Sequence, residues 1–220
     1  MSNVADPSAS TPDRAGIVLA GGYSRRFGER EKALASIDGE PMLGRVLERL
    51  DGVVDSLFVS CRAAQKPGFE RVLRSRSPGF VADPVPGEGP LFGLHAALRE
   101  VDAAYVAVVA CDMPAVDPDF VAHLFERAAG LDGAVPRLRD GTPQPAQAVY
   151  RTEAMREAAS RELEAGGRSL RGAVDCLDVL ELPPSEVERQ TRWCSLANVN
   201  TETELAALEG GDDPGVALKQ

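Results

Sequence analysis

Apolar residues along this chain gather into short runs, and longer stretches with one apolar face separate them. Residues 16–20, Gly-Ile-Val-Leu-Ala, read as a short buried strand. Residues 41 to about 50 carry apolar side chains at helical spacing, with Pro41 suited to a first turn. Strand 57–61 follows, then a short helix over 67–74, strand 79–82, a helix over about 91–101, strand 105–110 and a helix over 118–129. The second half is less regular. Residues 134–137 and 146–150 look like strands around a turn at Asp140-Gly141, and 152–165 is a helix ended by Gly166-Gly167. A short helix over 169–176, a strand over 179–182 and a final helix over 201–209 complete the pattern, with Thr201 and Glu204 spaced as a capping box.

Strand, helix and strand at these spacings require right-handed crossovers, and so a mostly parallel central sheet covered on both faces. The expected fold class is α/β in three layers. In such sheets ligands collect at the carboxyl ends of the strands. The loops after Ala20, Ala82 and Ala110 lie at those ends.

Composition narrows the partners. The chain has 220 residues, room for one sizeable core, which we expect over residues 15–209 with loose tails at 1–14 and 210–220. Its net charge is −10, the wrong sign for a broad nucleic-acid surface. No apolar run approaches the length of a membrane span, and no basic-then-apolar leader opens the chain, so a cytoplasmic protein is expected. The four cysteines, Cys61, Cys111, Cys176 and Cys194, form no Cys-x-x-Cys pair and read as reduced thiols. His95 and His123 sit in helical patterns without a metal-ligand partner. Basic groups clustered in one loop of so acidic a chain therefore point to a specific anionic ligand.

That loop runs from Leu19, Ala20, Gly21, Gly22 and Tyr23 through Arg25, Arg26 and Phe27-Gly28 to Glu31-Lys32. Glycines allow a backbone to approach a phosphate closely and to turn consecutive amides toward it. Arg25 or Arg26 and Lys32 add the charge that a triphosphate needs, Arg as a planar fork and Lys as a point charge. Neither the Walker spacing nor Gly-x-Gly-x-x-Gly is present. At the end of the apolar run 105–110, Asp112 is placed to hold Mg2+, or else to cap a helix. Asp83, before Pro84, can be a ligand or a turn residue.

The segment resembles the Leu-Ala-Gly-Gly…Arg-Met-Gly…Asp-Lys signature of the nucleotidyltransferase superfamily, and within it the molybdenum cofactor guanylyltransferase (MobA) family. Asp83-Pro84 through Gly89-Pro90-Leu91-Phe92-Gly93, Ala110-Cys111-Asp112-Met113-Pro114 and Asn198-Val199-Asn200-Thr201 are similar to later motifs of that family, as are Gln144-Pro145 and Gly167-Arg168-Ser169-Leu170. The likeness spans residues 16–208. Phe27 stands where the family has Met, Glu31 where it has Asp, and Glu202 where Pro is common.

The resemblance implies a Rossmann-like nucleotidyltransferase fold and transfer of GMP from GTP to the terminal phosphate of Mo-molybdopterin, with Mg2+ on Asp112. By the same resemblance Arg25, Lys32 and Asp112 are catalytic. The nucleotide and acceptor site would comprise Leu19, Ala20, Gly21, Gly22, Cys61, Asp83, Gln144, Arg168, Ser169, Asn198 and Asn200. Proteins that deliver the acceptor or receive the product are further expected partners. Gly21 favours guanine, since related cytidylyl members more often carry Leu-Ala-Ala-Gly. Left open are cytidylyl transfer to molybdopterin, guanylyl transfer to cobinamide phosphate or a sugar phosphate, and a nucleotide-binding regulator without catalysis. Arg168 and Ser169 can equally lie on a solvated helix start, and the Asn pair can equally tie loops to backbone.

Overall fold

The sheet is wound outward from its own first strand. The computed structural model describes residues 14–23, 31–73, 77–201, 203 and 204. Strand β1 (Arg14–Leu19) pairs in parallel with β4 (Ser56–Cys61), and β4 with β5 (Gly79–Ala82). The chain then returns past β1, and β6 (Tyr105–Ala110) pairs in parallel on its other side. The remaining strands are β7 (Gly133–Pro136), β8 (Gln147–Arg151) and β9 (Val179–Leu182). The full order is β5-β4-β1-β6-β8-β7-β9.

Only β8 runs against the others, antiparallel to both β6 and β7. The connection from β7 to β8 is too short for a crossover, which takes a dozen or more residues, so the chain must reverse there. The expectation of a mostly parallel sheet thus holds with one reversed strand. Between β1 and β6 the winding changes direction. The crevice above the carboxyl ends of these two strands is where such a fold opens a binding cleft.

Side chains alternate between the two faces, as the period of a strand demands. On one face Val18, Val59, Ala107 and Val109 pack under α1 (Met42–Asp51), α2 (Lys66–Val72) and α4 (Pro118–Ala128). On the other, Ala15, Ile17, Val106 and Val108 pack under α3 (Pro90–Leu98), α5 (Thr152–Glu164) and α6 (Leu170–Val174). Helix α3 comes very close to the sheet. A Cβ on Gly93 would lie 2.3 Å from Ser60 Oγ and 3.7 Å from Asp83 Cβ, so glycine is what allows the approach.

Four elements are absent from the sequence expectation, one of them a 3-10 turn over Lys32–Leu34. A small hairpin of β2 (Ser36–Ile37) and β3 (Glu40–Pro41) turns at Asp38 and Gly39, with φ of 51° and 84°. Both central residues at positive φ is the pattern of a type I′ turn. Helix α7 (Pro184–Gln190) buries one apolar side chain, Val187, and a 3-10 turn spans Trp193–Leu196. Arg14, expected in the N-terminal tail, begins β1 instead. The tails at residues 1–13 and 210–220 lie outside the described residues, as does most of the final helix. Its capping box is present: Thr201 Oγ1 accepts from Glu204 N at 3.1 Å, and Thr201 N donates to Glu204 Oε2 at 3.1 Å.

Candidate functional site

The top of β1 is braced by both neighbours beyond the end of the strand. Ala20 N donates to Ser60 O at 2.8 Å, and Cys111 N donates to Leu19 O at 3.0 Å. A cleft of about 650 Å³ opens there, a size suited to a small-molecule ligand. Leu19, Ala20, Gly21 and Gly22 form its floor, with Tyr23, Lys32, Asp83, Asp112, Asn198 and Asn200 around it. Helix α3 begins in the wall at Gly89 and Pro90, so its positive end adds to the field that an anion meets there.

Lys32 is the centre of the polar set. Its Nζ donates to Asp112 Oδ2 and to Asn200 Oδ1, both at 2.8 Å. The Lys32 side chain is 12% exposed and that of Asp112 22%, so the pair is well shielded from bulk water. Three distant parts of the chain meet in it. Lys32 opens a 3-10 turn after the glycine-rich loop, Asp112 follows β6, and Asn200 belongs to a C-terminal strap. The strap is held by Val199. Its N–H donates to Asp112 O at 2.8 Å, and its side chain is buried with Ile37 and Met42 of the small hairpin region.

Asp112 Oδ1 is buried and has no hydrogen-bond partner among the described residues. A buried, unmatched carboxylate oxygen in the wall of the cleft fits a divalent metal ion. No group of three or more His, Cys, Asp or Glu side chains is close enough to cage a metal among the described residues. A metal held at Asp112 would complete its shell with phosphate oxygens and water, the usual arrangement for Mg2+.

Asp83, at the end of β5, accepts from Val85 N at 2.9 Å through Oδ1. Its Oδ2 faces Gly21, 3.6 Å from where a Cβ would stand on that glycine. The turn residue and the cleft residue are therefore one and the same. Cys111 also lines the cleft, but burial, with the neighbouring Asp112 charge, pushes its thiol up to about 12. At neutral pH it stays protonated and offers no nucleophilic thiolate.

Of the residues named from sequence, the cleft brings together Leu19, Ala20, Gly21, Gly22, Lys32, Asp83, Asp112, Asn198 and Asn200. Arg25 lies outside the described residues. Cys61 does not reach the cleft: it shares the face of Val59, is fully buried in the core, and burial raises its thiol to about 11. Only its backbone takes part, its carbonyl accepting from Asp83 N at 2.8 Å. Gln144 is outside the lining, its N–H tied to Pro136 O at 2.8 Å. Ser169 caps α6, accepting from Gly172 N at 3.3 Å. Arg168 is 60% exposed and pairs with Glu88 from the loop after β5.

Two residues that sequence reasoning missed are Arg62 and Gln65, just after β4. They contact the backbone of Gly21 and Ala20 and the carboxylate of Glu31. A charged residue and an amide three apart at a strand's end were their only signal.

The family model described as "MobA-like NTP transferase domain" matches residues 16–177. A protein of Haloferax mediterranei named "Probable molybdenum cofactor guanylyltransferase" is 40% identical over 195 residues, 89% of this chain and 92% of its own length. One of the same name from Natronomonas pharaonis is 38% identical, covering 88% of this chain and 95% of its own. The crystal structure of molybdopterin-guanine dinucleotide biosynthesis protein A from Archaeoglobus fulgidus superposes with a TM-score of 0.74 at 28% identity, over 89% of this chain and 97% of that one.

Proposed function

Since the chain belongs to the MobA-like NTP transferase family, we propose that this nucleotidyltransferase is a molybdenum cofactor guanylyltransferase, moving GMP from GTP to the terminal phosphate of Mo-molybdopterin. The observation that carries the reading is Lys32 held between Asp112 and Asn200, with Asp112 Oδ1 left unmatched, directly above the glycine floor.

An oxygen of the acceptor phosphate attacks the α-phosphorus of GTP. The bond between that phosphorus and the oxygen bridging to the β-phosphate breaks, and pyrophosphate leaves. A phosphate monoester has its second pKa near about 6, so the attacking oxygen is ionised at neutral pH and needs no strong base. The protein's task is to bring two anions together in line and to spread the charge of the leaving group. Backbone amides of Gly21 and Gly22 cradle the phosphates. Lys32 neutralises charge on the triphosphate, and Arg25 supplies a second cation from the loop. Asp112 would hold Mg2+, which would supply charge neutralisation to the phosphates. Among the described residues nothing in the cleft forms a covalent intermediate in this scheme.

Asp83 supports the choice of guanine. A carboxylate accepts hydrogen bonds only, and guanine presents N1–H and the N2 amino group side by side. Cytosine and adenine present one amino group beside a ring nitrogen that itself accepts, which a carboxylate repels. The acceptor would then lie toward Asn198, Asn200 and the β8 end of the cleft. Gln144, Arg168 and Ser169 serve it only if their loops move. The reading includes one nucleotidyltransferase domain over about residues 15–209 and a cytoplasmic setting. Among the described residues no helix is long and apolar enough to cross a membrane.

The test is to incubate the protein with Mg2+, Mo-molybdopterin and labelled GTP, CTP or ATP in turn. Pyrophosphate release with GTP, dependent on the acceptor, is the expected result. Turnover with CTP in preference, or nucleotide binding without turnover across acceptors, would overturn it. Asp112→Ala should abolish transfer, by at least about 1000-fold, while its circular dichroism at 25 °C stays native, although melting falls because Lys32 loses its shielded partner.

A further inference from the structure

Two side chains that line no cleft hold the glycine-rich loop from behind. The Arg62 guanidinium donates from Nε to Gly21 O at 3.2 Å and from Nη2 to Glu31 Oε1 at 2.6 Å. Gln65 donates from Nε2 to Ala20 O at 3.1 Å and to Glu31 Oε2 at 2.7 Å, and its Oε1 accepts from Arg62 N at 2.8 Å. Gln65 is 4% exposed, so its contacts are shielded from water and are made to fixed partners. The same guanidinium lies 4.5 Å over the ring of Tyr23, which in turn packs against Gly87 on the far side of the cleft.

The network ties the first residues of the loop, Ala20 and Gly21, to its last, Glu31. It also fixes two peptide planes. A trans peptide directs its C=O and the following N–H to opposite sides. With the Ala20 and Gly21 carbonyls drawn toward Gln65 and Arg62, the N–H groups of Gly21 and Gly22 turn the other way, where both glycines line the cleft. Glu31, held by one contact to each of its oxygens, sets the start of the turn that carries Lys32 to Asp112.

We propose that Arg62 and Gln65 are positioning residues that shape the phosphate-binding loop, aiming its amides and delivering Lys32, without touching the nucleotide themselves. This rests on the guanylyltransferase reading only in taking GTP as the ligand.

An experiment with opposite signs separates this role from a direct one. Glu31 is a negative charge near a triphosphate. If Arg62 simply attracted phosphate, removing that charge with Glu31→Gln would free the guanidinium and tighten binding. If the clamp acts as proposed, Glu31→Gln loosens the loop and weakens binding. Titration calorimetry of the full-length protein with GTP and Mg2+ should show roughly 10- to 100-fold weaker binding for Arg62→Ala, the range for a lost charged hydrogen bond. Glu31→Gln should weaken it in the same direction. The double variant should be no weaker than the worse single one, since both changes break one unit. In turnover, KM for GTP should rise while KM for the acceptor stays put. Glu31→Gln is near-isosteric and partly exposed, so it keeps a readout if Arg62→Ala melts early. Equal or tighter GTP binding by Glu31→Gln, or additive losses, would sink the proposal. Failure of the unaltered protein to bind GTP would instead sink the functional reading.

Discussion

At the scale of single residues, the Lys32 ammonium stands 2.8 Å from both Asp112 and Asn200 at the wall of the cleft. Lys32 was readable because it ends a glycine-rich loop, and Asp112 because it ends an apolar strand. Cys61 entered the expected site through the resemblance alone, whereas the period of two turns its side chain to the helix-covered face. Arg62 and Gln65 were invisible because their partners Gly21, Ala20 and Glu31 are 31 to 45 residues away in the chain. Cys61 and Cys111, whose thiol pKa values are both raised, yield a prediction at this scale. An unfolded thiol ionises near 9, whereas folded Cys61 and Cys111 do so near about 11 and about 12, because burial disfavours the thiolate. Below pH 9 both states keep the proton and stability is intact. Above it the unfolded chain sheds protons first, so stability falls as pH rises toward 11 to 12, by at most about 1.4 kcal/mol per pH unit for each thiol. Melting curves between pH 7 and 11 should show this decline, and Cys111→Ala should lessen it. In the native protein at pH 8, a thiol reagent should modify exposed Cys176 and leave buried Cys61 untouched.

At the scale of elements, the long periodic segments were readable and the short ones were not. Helix α7 has one buried side chain, Val187, which cannot establish a period. The β2–β3 hairpin has two-residue strands, so Asp38-Gly39 was a turn signal without flanking strands long enough to register. Helix α3 was easily recognised, yet its closeness to the sheet was not, because that depends on what faces Gly93. The consequence is measurable. Gly93→Ala should cost about 1–3 kcal/mol, the range for overpacking, since its methyl would fall 2.3 Å from Ser60 Oγ. Ser60→Gly in the same chain should recover part of the loss. Denaturant melts of the single and double variants check this, and an additive loss in the double variant would refute the contact as the cause.

At the scale of the molecule, alternation of strands and helices was enough for a layered α/β fold, and the turn at Asp140-Gly141 for the reversal of β8, but not for the strand order or the pairings across the sheet. Those follow from how segments far apart pair, which local pattern does not encode. The same holds for the strap around Val199. Its motif was visible, while its attachment to Asp112 and to the hairpin region was not. A chain ended after Ala197 should keep the sheet and a cooperative melt, shifted down by about 1–2 kcal/mol for the lost burial of Val199. It should show no guanylyl transfer, because Lys32 loses Asn200. Restored transfer in that shortened chain would contradict the assignment. Lys32 and Asn200 are separated by 168 residues, and their contact has a meaning for synthesis on the ribosome. The segment ending at Lys32 emerges early, yet its contact with Asn200 cannot form until that residue has been translated. A product terminated before Asn200 would thus carry the glycine-rich segment without the completed site, and would lack transfer even where it folds.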